Sequence, residues 1–251
     1  MTIEVEKKGK LTIISINNPE VRNAIDGESA QRLTDAFREF EKDETSLVAI
    51  LCGKGGNFCS GANLKEVGKE SGNKLKPDGD GPMGPTRMYL SKPIIAAVSG
   101  YAVAGGFELA LWCDLRIVEK NSTLGIFNRR WGIPLIDGGT IRLPRIVGLG
   151  RALDLILTGR PVTADEAFTI GLATKVVDVG QARLEAEKLA EKIAEFPQTC
   201  LIHDRLSCYE QYDYGMEEAL KNEYEHGLKS LGEIEKGLGR FRKGEGRHGE
   251  F

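Results

Sequence analysis

The first sixty residues carry short apolar runs that predict a strand, strand, helix, strand order. Residues 3–7 (IEVEK) and 11–16 (LTIISI) contain β-branched residues and are separated by a glycine-containing turn, as in two neighbouring strands. Residues 27–43 carry apolar side chains at helical spacing, and Asp26 stands where a helix N-cap is expected. The run LVAILCG at residues 47–53 is apolar almost throughout and indicates a buried strand.

The same order of strands and helices continues to residue 120. IIAAVSG (94–100) and LRIVEK (115–120) predict strands, and GGFELALWCD (105–114) predicts the helix between them. From about residue 140 the apolar spacing becomes helical. We therefore expect an α/β fold in which helices cover a sheet. Its domains would be an α/β core over residues 1–195 and a helical region over residues 196–251.

Residues 68–85 (GKESGNKLKPDGDGPMGP) interrupt this order. The stretch is dense in glycine, proline and charge, which no packed element tolerates. Two interpretations remain open, a mobile loop beside an active site and a disordered insertion. Residues 68–90 and Trp131 are also candidates for the walls of a substrate pocket.

Composition favours a small-molecule partner. Charged residues make up 28% of the chain and the net charge is −3, so no overall basic field attracts nucleic acid or an acidic membrane. A non-catalytic RNA-binding protein would need a basic face, and the first predicted helix mixes both signs.

Cysteine usage and the chain ends predict a soluble, cytoplasmic protein. The five cysteines form no C-x-x-C pair, and an odd number gives no closed disulfide framework. The N-terminus lacks the features of a secretion signal, no run approaches the roughly 18 apolar residues of a membrane span, and the C-terminal residues are not a peroxisomal address.

Three further motifs carry weak signals. A G-x-G-x-x-G pattern spans residues 244–249, but a dinucleotide site needs a preceding strand and a following helix. Cys59 and Ser60 lack a local signature that ties a histidine to them, so a structural cysteine and a turn serine are favoured over a nucleophile. The histidines share no metal-ligand spacing, and we expect no metal: His203, His226 and His248.

Two glycine-containing turns follow predicted buried strands and lead into helices. They are GKGGNFCSGANLKEV after residue 52 and SGYAVAGGFELA after residue 98. Backbone N–H groups at such turns point outward with a helix dipole behind them, so two turns can supply two donors to one oxygen. The spacing alone equally fits glycines that only permit tight turns and helix packing.

Glu108 is the single charge in the run GYAVAGGFELA. A carboxylate near a helix N-terminus and among apolar residues is desolvated, which raises its pKa and makes it a usable acid and base near neutral pH. The alternative is a carboxylate that merely caps the helix, which contributes less than about 1 kcal/mol.

The chain resembles the crotonase superfamily, also called the enoyl-CoA hydratase/isomerase family. The similarity runs in order through NNPEVRNA, FCSGANLKEV, KPIIAAVSGYAVAGGFELALWCDLRI, GIPLIDGGTIRLPRIVG and LTGRPVTADEAFTIGLATKVV, and so covers most of the chain. The resemblance implies a spiral of β-β-α units, C-terminal helices that form homotrimers, often paired into hexamers, and an acyl-CoA substrate from fatty-acid metabolism. It implies no cofactor beyond the coenzyme A of the substrate.

The resemblance also implies site residues. The N–H groups of Ala62 and Gly105 match the two donors of the family's oxyanion hole, which holds the thioester carbonyl. The positions that match coenzyme A contacts are Asn23, Ala24, Ala62, Leu64 and Lys65, with Lys65 next to a phosphate. Phe241 and Lys243 resemble C-terminal residues that reach the coenzyme A of a neighbouring subunit.

One departure from the family pattern concerns the acid/base residues. Hydratases of the family carry two glutamates, and Glu108 matches the first, but Asn128 stands where the second is expected. An amide orients water without accepting its proton. Asp137 is the nearest later carboxylate and a candidate substitute acid, although a turn or helix N-cap role before Thr140 is favoured.

The resemblance implies an enoyl-CoA hydratase in which Glu108 acts as base and acid, assisted by Asn128 and Asp137. The alternatives are an enoyl-CoA isomerase and other reactions that use one carboxylate, such as decarboxylation or thioester hydrolysis.

Overall fold

The structure is a computed structural model, and it describes residues 2–244. The strands are β1 (Thr2–Lys8), β2 (Leu11–Asn17), β3 (Val48–Gly53), β4 (Ile94–Val98), β5 (Tyr101–Val103), β6 (Leu115–Glu119), β7 (Thr123–Gly125), β8 (Val162–Thr163) and β9 (Lys175–Val177). The helices are α1 (Gly27–Lys42), α2 (Gly105–Trp112), α3 (Gly139–Val147), α4 (Leu149–Thr158), α5 (Ala164–Thr169), α6 (Ala182–Glu195), α7 (Gln198–Glu210), α8 (Met216–Ser230) and α9 (Ile234–Arg242).

The larger sheet has six strands in the order β1-β2-β3-β4-β6-β9. Strands β1 and β2 form an antiparallel pair, and every later pairing in this sheet is parallel. Parallel strands are buried on both faces, which explains why β3 and β4 are apolar almost throughout. The α/β class and the strands predicted at β1, β2, β3, β4 and β6 are confirmed.

A second sheet of three strands has the order β5-β7-β8. The sequence does not reveal it, because strands of two or three residues are too short to show a period of two. Strand β5 lies inside the second glycine-containing stretch, SGYAVAGGFELA. This stretch therefore contains a short strand, and the turn into α2 follows the strand.

Helix α1 begins as predicted. The Asp26 side chain accepts a hydrogen bond from the Ser29 N–H at 2.9 Å, which caps the helix. Its buried face carries Phe37, whose ring meets that of Trp112 edge-on with centroids 4.7 Å apart. This aromatic pair joins α1 to the end of α2.

Residues 68–85 are irregular, as predicted, and they are tied to α1. The Gly27 N–H donates to the Ser71 carbonyl at 2.9 Å, and Arg38 binds both carboxylate oxygens of Asp80 at 2.8 Å. The Asn73 side chain donates to the Pro82 carbonyl at 2.8 Å. These contacts favour the loop over the disordered insertion, and the mobility of the loop stays a prediction.

The chain divides into two compact units, one ending at Glu191 and one beginning at Lys192. The predicted division after residue 195 stays a prediction. In the second unit α7 packs on α8, and Nδ1 of His203 lies 2.8 Å from Nδ1 of His226. None of the helices in residues 2–244 is long and apolar enough to cross a membrane. The cytoplasmic location remains a prediction.

Candidate active site

The two glycine-containing turns lie side by side. Cys59 pairs with β5, because its N–H donates to the Tyr101 carbonyl at 2.9 Å and its carbonyl accepts from the Val103 N–H at 3.1 Å. Two residues later, a Cβ atom added to Gly61 would lie only 3.0 Å from the backbone nitrogen of Gly105. The fold thus brings Ala62 and Gly105, 43 positions apart in the sequence, to the same place.

Both predicted donors are available in this arrangement. Among the hydrogen bonds of residues 2–244, none is donated by the N–H of Ala62 or of Gly105. Gly105 is the first residue of α2, so its N–H has no acceptor in the helix and lies at the positive end of the helix dipole. The preceding Ala104 has a φ of 52°, a conformation that costs a non-glycine residue about 1–3 kcal/mol and that occurs at functional sites.

Glu108 lies in the first turn of α2 and is 2% exposed. Its Oε1 accepts hydrogen bonds from the N–H groups of Asp137 at 3.0 Å and Gly139 at 2.8 Å. The carboxylate therefore binds a separate loop rather than the N–H groups of its own helix, and the capping interpretation is wrong. Burial and then the negative charge of Asp137 raise the pKa of Glu108 to about 7, although the two N–H donors oppose the shift.

Asp137 is 4% exposed and its Oδ1 accepts from the Met83 N–H at 2.9 Å and from the Thr86 hydroxyl. Helix α3 begins after Gly138 without a side-chain cap, so the predicted N-cap role of Asp137 is wrong. Arg142 donates to the backbone carbonyls of Asp137 and Thr86 at 2.9 and 2.6 Å. Burial raises the pKa of Asp137. The structure thus sets two buried carboxylates side by side.

Asn128 lies in a 3₁₀ helix over Phe127–Trp131 and is 3% exposed. Within the described part of the chain its Oδ1 is a buried oxygen without a hydrogen-bond partner. The hydrogen bonds of Glu108 and Asp137 described above do not include Asn128. Its proposed part in orienting water stays a prediction. Trp131 at the end of the same helix is largely exposed.

The predicted coenzyme A segment around Asn23 adjoins the first turn. The Ile25 N–H donates to the Gly61 carbonyl at 2.8 Å, and the Ile25 carbonyl accepts from Asn63 at 2.7 Å. The Asn23 side chain is fully buried and holds three backbone groups, those of Asn18, Lys54 and Asn57. The N–H groups of Asn23 and Ala24 are also engaged within the chain. Asn23 is fully buried and Ala24 is 8% exposed, and their contacts with coenzyme A stay a prediction.

Leu64 and Lys65 are exposed directly after the Ala62 donor. This position suits contact with a coenzyme A chain that leads away from the thioester. Phe241 and Lys243 are exposed at the end of the second unit, on and just after α9. Their predicted role toward a neighbouring subunit is not tested by a single chain.

Other candidate chemistry receives no support. Burial raises the pKa of the Cys59 thiol to about 12, so the thiolate needed by a nucleophile is absent near neutral pH. The Ser60 hydroxyl donates to the Val21 carbonyl, in keeping with a turn serine. In the described ranges no group of three or more His, Cys, Asp or Glu side chains could hold a metal ion. The G-x-G-x-x-G pattern after Gly244, and His248 within it, lie outside the described residues.

Sequence reasoning missed three residues that position Asp137: Met83 and Thr86 donate to its carboxylate, and Arg142 donates to its backbone carbonyl. Met83 and Thr86 precede Asp137 by more than 50 residues, and Arg142 follows it by five, in helix α3. No local sequence pattern marks such contacts. One signal could have found two of them. Residues 68–90 were candidates for the walls of the substrate pocket, and Met83 and Thr86 lie in that range.

Known proteins resemble this chain in sequence and in fold. The family described as enoyl-CoA hydratase/isomerase matches residues 6–242. Enoyl-CoA hydratase EchA19 of Mycobacterium tuberculosis is 37% identical over 198 residues, which cover 76% of this chain and 73% of that protein. The crotonyl-CoA hydratase of Syntrophomonas wolfei is 37% identical over 194 residues, or 76% of this chain and 75% of that protein. A crystal structure of an enoyl-CoA hydratase from M. tuberculosis H37Rv matches with a TM-score of 0.90 and 31% identity over 96% of this chain and 95% of that one. The chain therefore belongs to the enoyl-CoA hydratase/isomerase family.

Proposed function

We propose that the chain catalyses the addition of water to a 2-enoyl-CoA thioester. The observation that carries the proposal is the arrangement at the start of α2, where a buried carboxylate with a pKa of about 7 lies three residues after a free backbone donor. Hydratases make up many of the relatives with known names, and the family match supports the same substrate class.

In the proposed mechanism the thioester oxygen accepts hydrogen bonds from the N–H groups of Ala62 and Gly105. Ionised Glu108 takes a proton from water as the water oxygen bonds to C3, and the electron pair of the double bond moves to form the enolate. The two donors stabilise the enolate oxygen, each by about 3–4 kcal/mol. Glu108 then returns the proton to C2, so one water molecule is added in full.

The remaining groups assist this chemistry. The buried amide of Asn128 would orient the attacking water by hydrogen bonding. It would not act as a base, because an amide cannot accept the proton. Asp137 holds the pKa of Glu108 up through its negative charge. Coenzyme A would run past Asn23, Ala24 and Leu64, with Lys65 beside a phosphate.

The isomerisation of a 3-enoyl-CoA to a 2-enoyl-CoA is the second candidate, and Asn128 is the observation that favours it. With an amide in place of the second glutamate, only one family position retains its carboxylate. One carboxylate suffices to move a proton from C2 to C4, because the same group removes and returns it.

Product masses test the proposal directly. The protein is incubated with 2-enoyl-CoA and 3-enoyl-CoA thioesters of several chain lengths. The products are separated by liquid chromatography, which resolves isomers of equal mass, and are identified by mass spectrometry. Hydration predicts the gain of one water. An isobaric product from the 3-enoyl substrate alone would support isomerisation instead, and loss of carbon dioxide or release of free coenzyme A would contradict both.

Replacing Asp137 with asparagine is expected to move the acid limb of the pH profile of kcat/KM to lower pH. The wild-type enzyme should lose activity below about pH 7, where Glu108 becomes protonated and can no longer act as the base. A neutral side chain at position 137 removes a negative charge that raises the pKa of Glu108, while its oxygen can still accept from Met83 and Thr86. Profiles of both proteins with one 2-enoyl-CoA provide the measurement, and coincident acid limbs would contradict the coupling.

We further propose a homotrimer, or a hexamer of two trimers, as the working assembly. In the second unit α8 exposes apolar side chains at four-residue spacing on one face: Met216, Leu220, Tyr224 and Leu228. Soluble monomers rarely leave such a stripe uncovered. Leu220→Glu is expected to lower the molar mass measured by light scattering, and a monomeric wild-type protein would overturn the proposal.

A further inference from the structure

Met83 contacts both halves of the candidate active site. A methyl group added to Gly105 would lie 2.7 Å from Sδ, 2.8 Å from Cγ and 3.2 Å from Cε of Met83, so the thioether side chain lies directly against the Gly105 Cα. The backbone N–H of the same residue donates to Oδ1 of Asp137 at 2.9 Å. Met83 thus lies between the oxyanion donor and the second carboxylate.

The fold holds Met83 in this place on both sides. Two residues earlier, Gly81 leaves no space for a side chain, because a Cβ atom there would meet the Thr86 hydroxyl at 1.9 Å and Asp137 Oδ1 at 2.8 Å. Gly84 donates its N–H to the Gly81 carbonyl at 2.9 Å, which closes a tight turn around Met83. Met83 itself is 1% exposed and belongs to the hydrophobic core.

The position of the side chain has a consequence for the substrate. The Met83 thioether lies against the Gly105 Cα, which is bonded to the donor nitrogen, so we expect it near an oxygen held by the Gly105 N–H. In a substrate whose C2 and C3 reach Glu108, the rest of the acyl chain would extend past Glu108 and Asp137. The Asp137 carboxylate accepts a hydrogen bond from the Met83 N–H. We expect the acyl chain of such a substrate to pass close to the buried Met83 side chain.

We propose that Met83 is a specificity-determining residue that closes the acyl side of the site and restricts the enzyme to short acyl chains. This inference rests on the proposed function. Methionine is unbranched and flexible, so it fills an irregular gap without a rigid fit, and its truncation opens a space in line with the reacting carbons. Met83→Ala removes three heavy atoms, which is the length of about three methylene groups.

The test measures kcat/KM for 2-enoyl-CoA substrates of four, six, eight and ten acyl carbons with the wild type and the Met83→Leu, Met83→Val and Met83→Ala variants. One methylene in an apolar pocket changes kcat/KM by roughly 10–200-fold. We expect the wild type to prefer four carbons and the ratio for eight against four carbons to rise at least about tenfold in Met83→Ala. The ratio is measured within one protein sample, so a loss of folded protein cancels from it.

Leu11→Ala is the matched control. Leu11 is a buried side chain at the first residue of β2, outside residues 68–90, and its change to alanine also removes three heavy atoms. The same truncation there should leave the chain-length ratio unchanged. An unchanged ratio in Met83→Ala, or a wild type that prefers ten carbons, would overturn the inference. A wild type that converts none of the substrates would instead contradict the proposed function.

Discussion

Glu108→Gln is expected to lower kcat for hydration of a 2-enoyl-CoA by about 10²–10⁴-fold, the usual contribution of a general acid and base. Glutamine keeps the size of the side chain, and its oxygen can still accept from the N–H groups of Asp137 and Gly139. What it loses is the ability to take a proton from water and return it to C2. Affinity for coenzyme A should change little, because the predicted contacts lie elsewhere. Stopped-flow or steady-state kinetics gives kcat, and calorimetry gives the affinity.

The control for Glu108→Gln is Glu119→Gln. Glu119 is also a buried glutamate, in β6, and its Oε1 accepts from the Ala182 N–H at 3.5 Å. The same change of charge there should leave kcat within about threefold, since most substitutions away from the chemistry act on stability alone. Undiminished turnover in Glu108→Gln would remove Glu108 from the mechanism.

Stability measured against pH gives an independent readout of Glu108. The folded protein holds the proton up to about pH 7, whereas an unfolded chain releases it near its ordinary pKa of 4.5. Folding therefore binds a proton between those values, and the free energy of unfolding falls as the pH rises through this window. The difference corresponds to about 3 kcal/mol at most. Glu108→Gln should thus be more stable than wild type above pH 7, and this advantage should disappear near pH 4.

The α/β core could be predicted from the sequence because its longer strands and its first helix each have a recognisable local pattern of residues. Strand β3 is a continuous apolar run, and α1 begins at an aspartate that caps it. The second sheet was not accessible, since β5, β7 and β8 have two or three residues each and depend on pairing with distant segments. Short strands form where the rest of the fold places a partner, and no local pattern encodes that.

The candidate site could be predicted from the sequence only in part, for a related reason. A charge in an apolar run marked Glu108, and the glycines marked the two turns. The partners of Glu108 come from residues about thirty positions away, so their hydrogen bonds were invisible. Asp137 illustrates the error that follows. Its position before a helix predicts an N-cap, but its carboxylate accepts from the Met83 N–H, and no local pattern places that segment beside it.

Gly61→Ala is expected to lower kcat/KM by about 10²–10³-fold, the cost of losing one oxyanion donor. The new methyl group would lie 3.0 Å from the Gly105 nitrogen and 3.0 Å from the Ala104 Cβ, so the Gly105 turn must move by a few tenths of an ångström. Alanine is also strained at the φ of +99° found there. The donor is displaced while Glu108 stays unchanged, so the pH at which activity falls should not shift.

Gly180→Ala separates displacement of the donor from backbone strain. Gly180 has a similar φ of +82°, but a Cβ atom there meets nothing within 4 Å. Both variants should lose stability, by about 1–3 kcal/mol from the backbone conformation, and only Gly61→Ala should lose activity per folded molecule. Thermal unfolding and kcat/KM measured on the same samples distinguish the two effects. Equal activity in both variants would mean that the turn at Gly61 does not position the Gly105 N–H, and the two-donor site would have to be abandoned.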